Sequence, residues 1–176
     1  NYMISKIREL INNVYEEQNQ KRILEIKALE AQINPHFLYN TLDTIKWTAL
    51  FQKAYNAAEM ASLLSRLLHI SLRKGDETVK VSEEVEHVQC YLGIQRFRFD
   101  LDIKVNYCID QEVKDLKVPK LILQPIVENS ILHGFSDKEH GGTITINSKR
   151  NEEILNIEVI DDGCGMDTQH LETLKE

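Results

Sequence analysis

Glycine is absent ahead of Gly75, and the only proline there is Pro35; all seven glycines and the other two prolines come at Gly75 or later. A stretch so poor in residues that interrupt regular backbone is expected to be almost entirely helical. Cysteine is scarce as well: Cys90, Cys108 and Cys164 are an odd number with no close pair. This argues against a disulfide framework or a cysteine-based zinc site and suits a reducing compartment, by default the cytoplasm. Positive charge is in deficit, with 28 acids against 21 bases and a net charge of −7, so no general basic field exists to hold nucleic acid or an anionic membrane. Long apolar runs are missing too. Leu121-Ile122-Leu123 and Ile126-Val127 fall far short of the roughly 18 to 20 residues that span a bilayer. The opening residues, Asn1 to Lys6, have neither the apolar core nor the cleavage site of a signal peptide. They begin inside a helical pattern, as expected of a piece cut from a longer chain.

What is present is ordinary soluble material. The 176 residues are 42% hydrophobic and 28% charged, enough for one or two modest cores. Ile4, Ile7, Ile11 and Val14 have the three-four-three spacing of a two-stranded coiled-coil seam. The polar run Glu16 to Arg22 interrupts it, and a stripe resumes out of phase at Ile23, Ile26, Leu29 and Ile33. The expected organisation is a signalling coiled coil over 1–22, a helical hairpin over 23–75 and an α+β domain over 80–176. The second hairpin helix, about Ala54 to Leu72, carries Ala57, Met60, Ala61, Leu64, Leu67, Leu68 and Ser71 along one broad face. That face is too wide for a two-helix contact, so a homodimer forming a four-helix bundle is expected.

Beyond Gly75 the texture changes. Ser82 is positioned to cap a helix that starts with Glu83-Glu84 and ends at Arg96-Phe97-Arg98. Leu101 to Ile109 alternates as a strand, Pro119 is expected to open another helix that Gly134 closes, and Thr143–Ser148 and Ile154–Ile160 form a hairpin. Such a mixture gives helices on one face of a sheet.

Three constellations can carry chemistry. In Gln32-Ile33-Asn34-Pro35-His36-Phe37-Leu38-Tyr39-Asn40, a proline inside a helix would cost about 3 kcal/mol by deleting a backbone bond and crowding the preceding turn. A kink there loosens the backbone beside His36, and Asn40 follows one turn later on the same side. Imidazole is substantially neutral near pH 7, so His36 suits nucleophilic attack with Asn40 orienting it. A surface histidine beside a packing kink is the competing reading. In Pro119 to Gly134, the four-residue spacing places Asn129 and His133 in line with Ile122 and Ile126. An amide oxygen suits magnesium and an imidazole can contact phosphate, although an apolar stripe simply reaching solvent would look the same. In Val159-Ile160-Asp161-Asp162-Gly163-Cys164-Gly165, counting by twos from Leu155 puts Asp161 on the apolar face of its strand. A carboxylate there needs a donor such as a purine amine, and Gly163 and Gly165 would let backbone approach a flat ligand. An ordinary glycine turn is the alternative.

Taken in order, the three segments resemble sensor histidine kinases of the LytS/YesM type. The kinase core of that family belongs to the GHKL superfamily of ATPases shared with gyrase and MutL. The resemblance runs from about Ala28 to Met166. It implies a dimerisation hairpin followed by a partial α/β-sandwich ATP-binding domain, in the cytoplasmic portion of a bacterial membrane receptor whose transmembrane segments lie outside this chain. His36 corresponds to the phosphoacceptor, Asn129 to the magnesium-binding asparagine and His133 to the polar end of that motif near the phosphates. Asp161 corresponds to the carboxylate that recognises adenine, with Gly163 and Gly165 in the adjacent loop. The implied cofactors are ATP and Mg2+, and the implied partners are a second copy and the receiver domain of a response regulator, with no nucleic acid. The sequence departs from the family at Leu132, where a lysine is frequent, and it ends before a second glycine-rich motif. This chain alone is therefore expected to bind nucleotide weakly. A signalling scaffold with a degenerate ATP site is the alternative. A purely ATP-hydrolysing relative would leave the Pro35-His36 helix unexplained.

Overall fold

A computed structural model describes Lys21 and residues 34–73, 77–99, 103–135 and 141–165. The coiled coil expected over 1–22 and the phase change over 23–33 lie outside the described residues, Lys21 excepted. The chain divides into two compact units between Leu38 and Tyr39.

In the first unit, Pro35 opens helix α1 (Pro35–Phe51). The expectation of a proline buried within a helix is corrected. At the first helical position the missing N–H is one that would have no partner anyway, and the fixed φ is already helical. Asn34 precedes it as a cap. Its side-chain oxygen accepts from Phe37 N at 3.4 Å, and its carbonyl accepts from Leu38 N at 3.3 Å.

In the second unit, α1 ends in a Schellman turn. Ala54 N donates to Ala49 O and Lys53 N to Leu50 O, with Lys53 in the left-handed region at φ 58°. Helix α2 (Tyr55–Ser71) then runs back. Tyr39 ties the helices together, its hydroxyl donating to Leu68 O at 3.3 Å and its ring lying 5.5 Å from that of His69. Ala49, Ala58 and Ala61 are buried, whereas Ile45, Trp47, Phe51 and Tyr55 are exposed.

The remaining elements are β1 (Thr78–Lys80), α3 (Val81–Phe99), β2 (Lys104–Ile109), a 3-10 turn (Gln111–Val113) and β3 (Lys117–Pro119). They are followed by α4 (Leu123–Asn129), a π-turn (Ser130–Gly134), β4 (Thr143–Asn151) and β5 (Ile154–Asp161). Strands β1 and β3 form a small antiparallel ribbon. A three-stranded sheet has the order β2-β4-β5, with β2 parallel to β4 and β5 antiparallel to it. The β4–β5 hairpin closes at Glu152-Glu153, with Asn151 opposite Ile154 and Glu152 at φ 55°. Val81, Val85, Val88, Tyr91 and Leu92 of α3 pack with Leu123 and Val127 of α4 against Ile144, Ile146 and the inward residues of β2 and β5. The fold is thus mixed α+β, with helices on one face of the sheet. Leu67 of α2 joins this cluster, and Leu63 lies against Gly93 of α3. Part of the broad apolar face of α2 is therefore covered within the same chain rather than left for a second copy.

Two start signals were misplaced. The helix α3 begins at Val81, one residue before Ser82, because Glu83 reaches back to accept from Lys80 N at 2.9 Å. Pro119 ends β3 opposite Thr78 instead of opening a helix; α4 starts at Leu123, after Leu121 turns the chain at φ 60°.

Candidate functional site

Residues of α4, the π-turn and the end of β5 converge at one end of the α+β layer. Leu123 and Val127 anchor α4 in the core, leaving Asn129, its last residue, exposed. The expected uninterrupted α-helix to Gly134 widens at Ser130 into a π-turn, a geometry frequent at functional sites. The π-turn has partners from outside the helix. The Ser130 hydroxyl lies 2.8 Å from Asp161 Oδ2 and 3.3 Å from Ile126 O. Gly134 O accepts from Cys164 N at 2.9 Å, and His133 O accepts from the Cys164 thiol at 3.3 Å. His133 itself is exposed.

Asp161 continues the register of Leu155, Ile157 and Val159, which pack on the core, but its own side chain is exposed. The expected burial cost is corrected: Asp161 is the last residue of β5, paired with Ile144, and remains exposed. Oδ2 accepts from Ser130, and Oδ1 accepts from Gly163 N at 2.9 Å. A carboxylate has about four lone-pair sites, so acceptor capacity remains for a ligand amine. Asp162, next along, points elsewhere and accepts from Thr143 N at 2.9 Å, pinning the strand end.

The two glycines serve different needs. A Cβ on Gly163 would lie 2.5 Å from Gly134 O and 2.7 Å from Asp161 Oδ1, so only hydrogen fits between the loop and the π-turn. Gly165 faces open space but adopts φ +73°, where a side chain is strained.

Asn129, His133, Asp161, Gly163 and Gly165 are therefore brought to one end of the layer. His36 and Asn40 lie on another element, α1, both exposed; the Asn40 carbonyl accepts from Thr44 Oγ1 at 2.8 Å. Ser130 and the Cys164 backbone carry no local signal, and Gly134 reads from the sequence only as a helix end, because their roles come from contacts of the π-turn with the end of β5 and the loop after it. Among the described residues no group of three or more His, Cys, Asp or Glu side chains could hold a metal. A lone amide oxygen from Asn129 nevertheless suits magnesium, which commonly takes one or two protein ligands and completes its shell with phosphates and water. Among the described residues no helix is long and apolar enough to cross a membrane.

Comparison with known proteins gives matches in families, curated sequences and solved structures. The family model described as histidine kinase matches residues 24–103. The sensor histidine kinase YesM of Bacillus subtilis is 40% identical over 97% of this chain and 30% of its own length. Sensor histidine kinase BtsS of Escherichia coli K12 is 39% identical over 85% of this chain and 27% of its own. Among solved structures, the histidine kinase domain of the Erythrobacter litoralis EL346 blue-light activated kinase matches at 18% identity with a TM-score of 0.42, over 77% of this chain and 74% of that one. The chain spans less than a third of the length of those two curated relatives.

Proposed function

The chain belongs to the sensor histidine kinase family, and from the arrangement around Asp161 we propose that it is a kinase core that phosphorylates His36 from ATP and passes the phosphoryl group to a response-regulator aspartate. The observation that carries this reading is the convergence of Asp161, Gly163 and the Asn129–His133 turn, held by the Ser130 and Cys164 contacts. Here Asp161 accepts from the adenine amine, and the Gly163 and Gly165 backbone lies along the base. Asn129 and His133 face the phosphates from the other side. Asn129 would hold a magnesium ion, whose charge offsets that of the phosphates.

His36 acts as the nucleophile. A deprotonated ring nitrogen forms a bond to the γ-phosphorus as the bond to the bridging oxygen breaks, and ADP leaves with that electron pair. Its place in the second residue of α1, exposed and beside a proline-fixed helix start, gives the imidazole access without burial. Asn40, one turn on, orients it. Such catalysis is mostly positioning. In the proposed dimer, GHKL-type domains flank a four-helix bundle made from two hairpins. The exposed Ile45, Trp47, Phe51 and Tyr55 are the surface that a second copy would cover.

The test is incubation of the full-length protein carrying this chain with radiolabelled ATP and magnesium. An acid-labile, alkali-stable label that disappears in His36→Gln is expected. A label that survives that substitution overturns the assignment. Nucleotide binding without any label would overturn the kinase reading or the site assignment, and absence of both binding and label would favour the scaffold with a degenerate ATP site, for which the exposed Leu132 is the motivating departure.

A further inference from the structure

The helix that carries Asn129 is tied at its start to the far end of the hairpin, through side chains with no contact to the candidate site. Ser71 is the last residue of α2. Its hydroxyl lies 2.8 Å from Leu67 O and 2.8 Å from His87 Nε2 on α3. With the hydroxyl proton on the carbonyl, the imidazole must donate, so the His87 proton sits on Nε2. His87 is fully buried, and its other nitrogen, Nδ1, has no hydrogen-bond partner. Burial holds the His87 pKa below its ordinary value, with the charge of Glu84 opposing that shift.

One turn earlier on the same face of α3, Glu84 is also buried. Its two oxygens accept from Leu121 N at 2.6 Å and Leu123 N at 3.2 Å. Leu123 is the first residue of α4, so its N–H is one of those left without a partner inside the helix, and a carboxylate there complements the helix dipole. Leu121 stands in the left-handed region at φ 60°, a conformation costly for a leucine and held here by the Glu84 bond. A second tie runs alongside. Lys120 Nζ donates to Arg73 O at 2.6 Å, and Arg73 pairs with Glu83 at 2.8 Å.

We infer that Ser71, His87 and Glu84 are positioning residues, forming a buried polar relay that couples the end of the hairpin to the start of the Asn129 helix. The inference deepens the kinase reading, on which its consequence for nucleotide rests. The physical reason is that neither buried group can turn to water when its partner moves. Orphaning one leaves its desolvation cost without a compensating bond, so the relay tends to shift as a unit, not piecemeal. Displacing Ser71 moves His87, α3 and Glu84 together. The strained Leu121 turn is then released, and with it the angle at which Asn129 is presented.

Physical adjacency becomes coupling only when it is measured, and two readouts do so. The first is backbone hydrogen exchange at Leu121 and Leu123 in the 176-residue chain, which does not depend on the kinase reading. Ser71→Ala is expected to speed both amides at least tenfold, and Ser71→Thr, which keeps a hydroxyl, is expected to restore protection. Unchanged exchange in Ser71→Ala overturns the relay. The second is the Kd for Mg-ATP in the full-length protein. It is expected to rise at least fivefold in Ser71→Ala and in His87→Leu, and to recover in His87→Gln, whose amide donor sits near the position of Nε2. Ser71→Ala and Glu84→Gln combined should weaken binding by less than the product of their separate effects. Independent effects, or no recovery in His87→Gln, overturn the relay. If the native protein binds no Mg-ATP while the two amides respond as expected, the relay stands and the kinase reading fails.

Discussion

The hairpin and the α+β layer differ in where their apolar residues end up. In the layer, α3, α4 and the sheet enclose a continuous core whose Ile103, Val88, Ile144 and Ile146 have no exposed surface. In the hairpin, the buried residues are alanines, and the large side chains Trp47, Phe51 and Tyr55 lie open, Phe51 to 92%. The layer is stabilised by its own packing; the hairpin presents a surface. The same hydrophobic effect acts on both, and the difference lies in whether a single chain has a second layer to offer. Where α3 supplies one, against Leu63 and Leu67, α2 is covered. Beyond that reach, it is not.

Cutting into each half sharpens the contrast most. Ile144→Ala should cost about 2–5 kcal/mol of unfolding free energy by urea titration, since it opens a cavity in a closed core. Phe51→Ala should change the stability of the isolated chain by less than about 0.5 kcal/mol and instead weaken self-association in sedimentation. An equal loss of stability for both would erase the distinction. Next comes Gly163→Ala, which drives a Cβ against the Gly134 carbonyl. A loss of about 1–3 kcal/mol is expected from such overpacking, together with abolished nucleotide binding, while hairpin self-association stays intact. Removing the hydroxyl in Ser130→Ala should cost about 1 kcal/mol and weaken Mg-ATP binding several-fold in calorimetry.

A gentler effect reports on the junction between the halves. Because the folded-state pKa of His87 is lowered, the unfolded chain binds the extra proton first as pH falls. The contribution of neutral His87 is therefore fully present above about pH 6.5, the ordinary histidine value, and is lost as pH drops below it. Denaturation midpoints measured from pH 7 to pH 5 should decline, and His87→Gln should flatten part of that slope. An unchanged slope would place the acid sensitivity in other groups.

Much of the layer was legible in advance. The alternation of Ile103, Val105, Tyr107 and Ile109 marked β2, and the spacing of Val85, Val88, Tyr91 and Leu92 marked the buried face of α3. Those patterns persist because burial imposes the period of the element on its side chains. Asp161, Gly163, Asn129 and His133 were marked in advance as candidates beside ordinary structural readings, and the structure brings them to one end of the layer. Less legible were the places where a local signal competes with a remote partner. Pro119 carries a helix-start signal, yet pairing with Thr78 made it the end of a strand. Ser82 reads as a cap, yet Glu83 took that role from one residue further on. Asp161 was expected to be a costly inward charge, but as the last residue of β5 it remains exposed.

Sequence by itself determined the helical character of the hairpin, the strands of the sheet and the residue types available at the candidate site, because each rests on local propensity or a fixed periodicity. Only the tertiary structure decided what those residues do together. Ser130 reaches Asp161 across 31 positions, Glu84 holds the start of α4 from 37 and 39 positions away, and Ser71 meets His87 across 16. No local pattern encodes such pairings. Glu84 and His87 are buried and must find partners away from water, while Ser130 and Asp161 meet because packing brings the π-turn beside the end of β5.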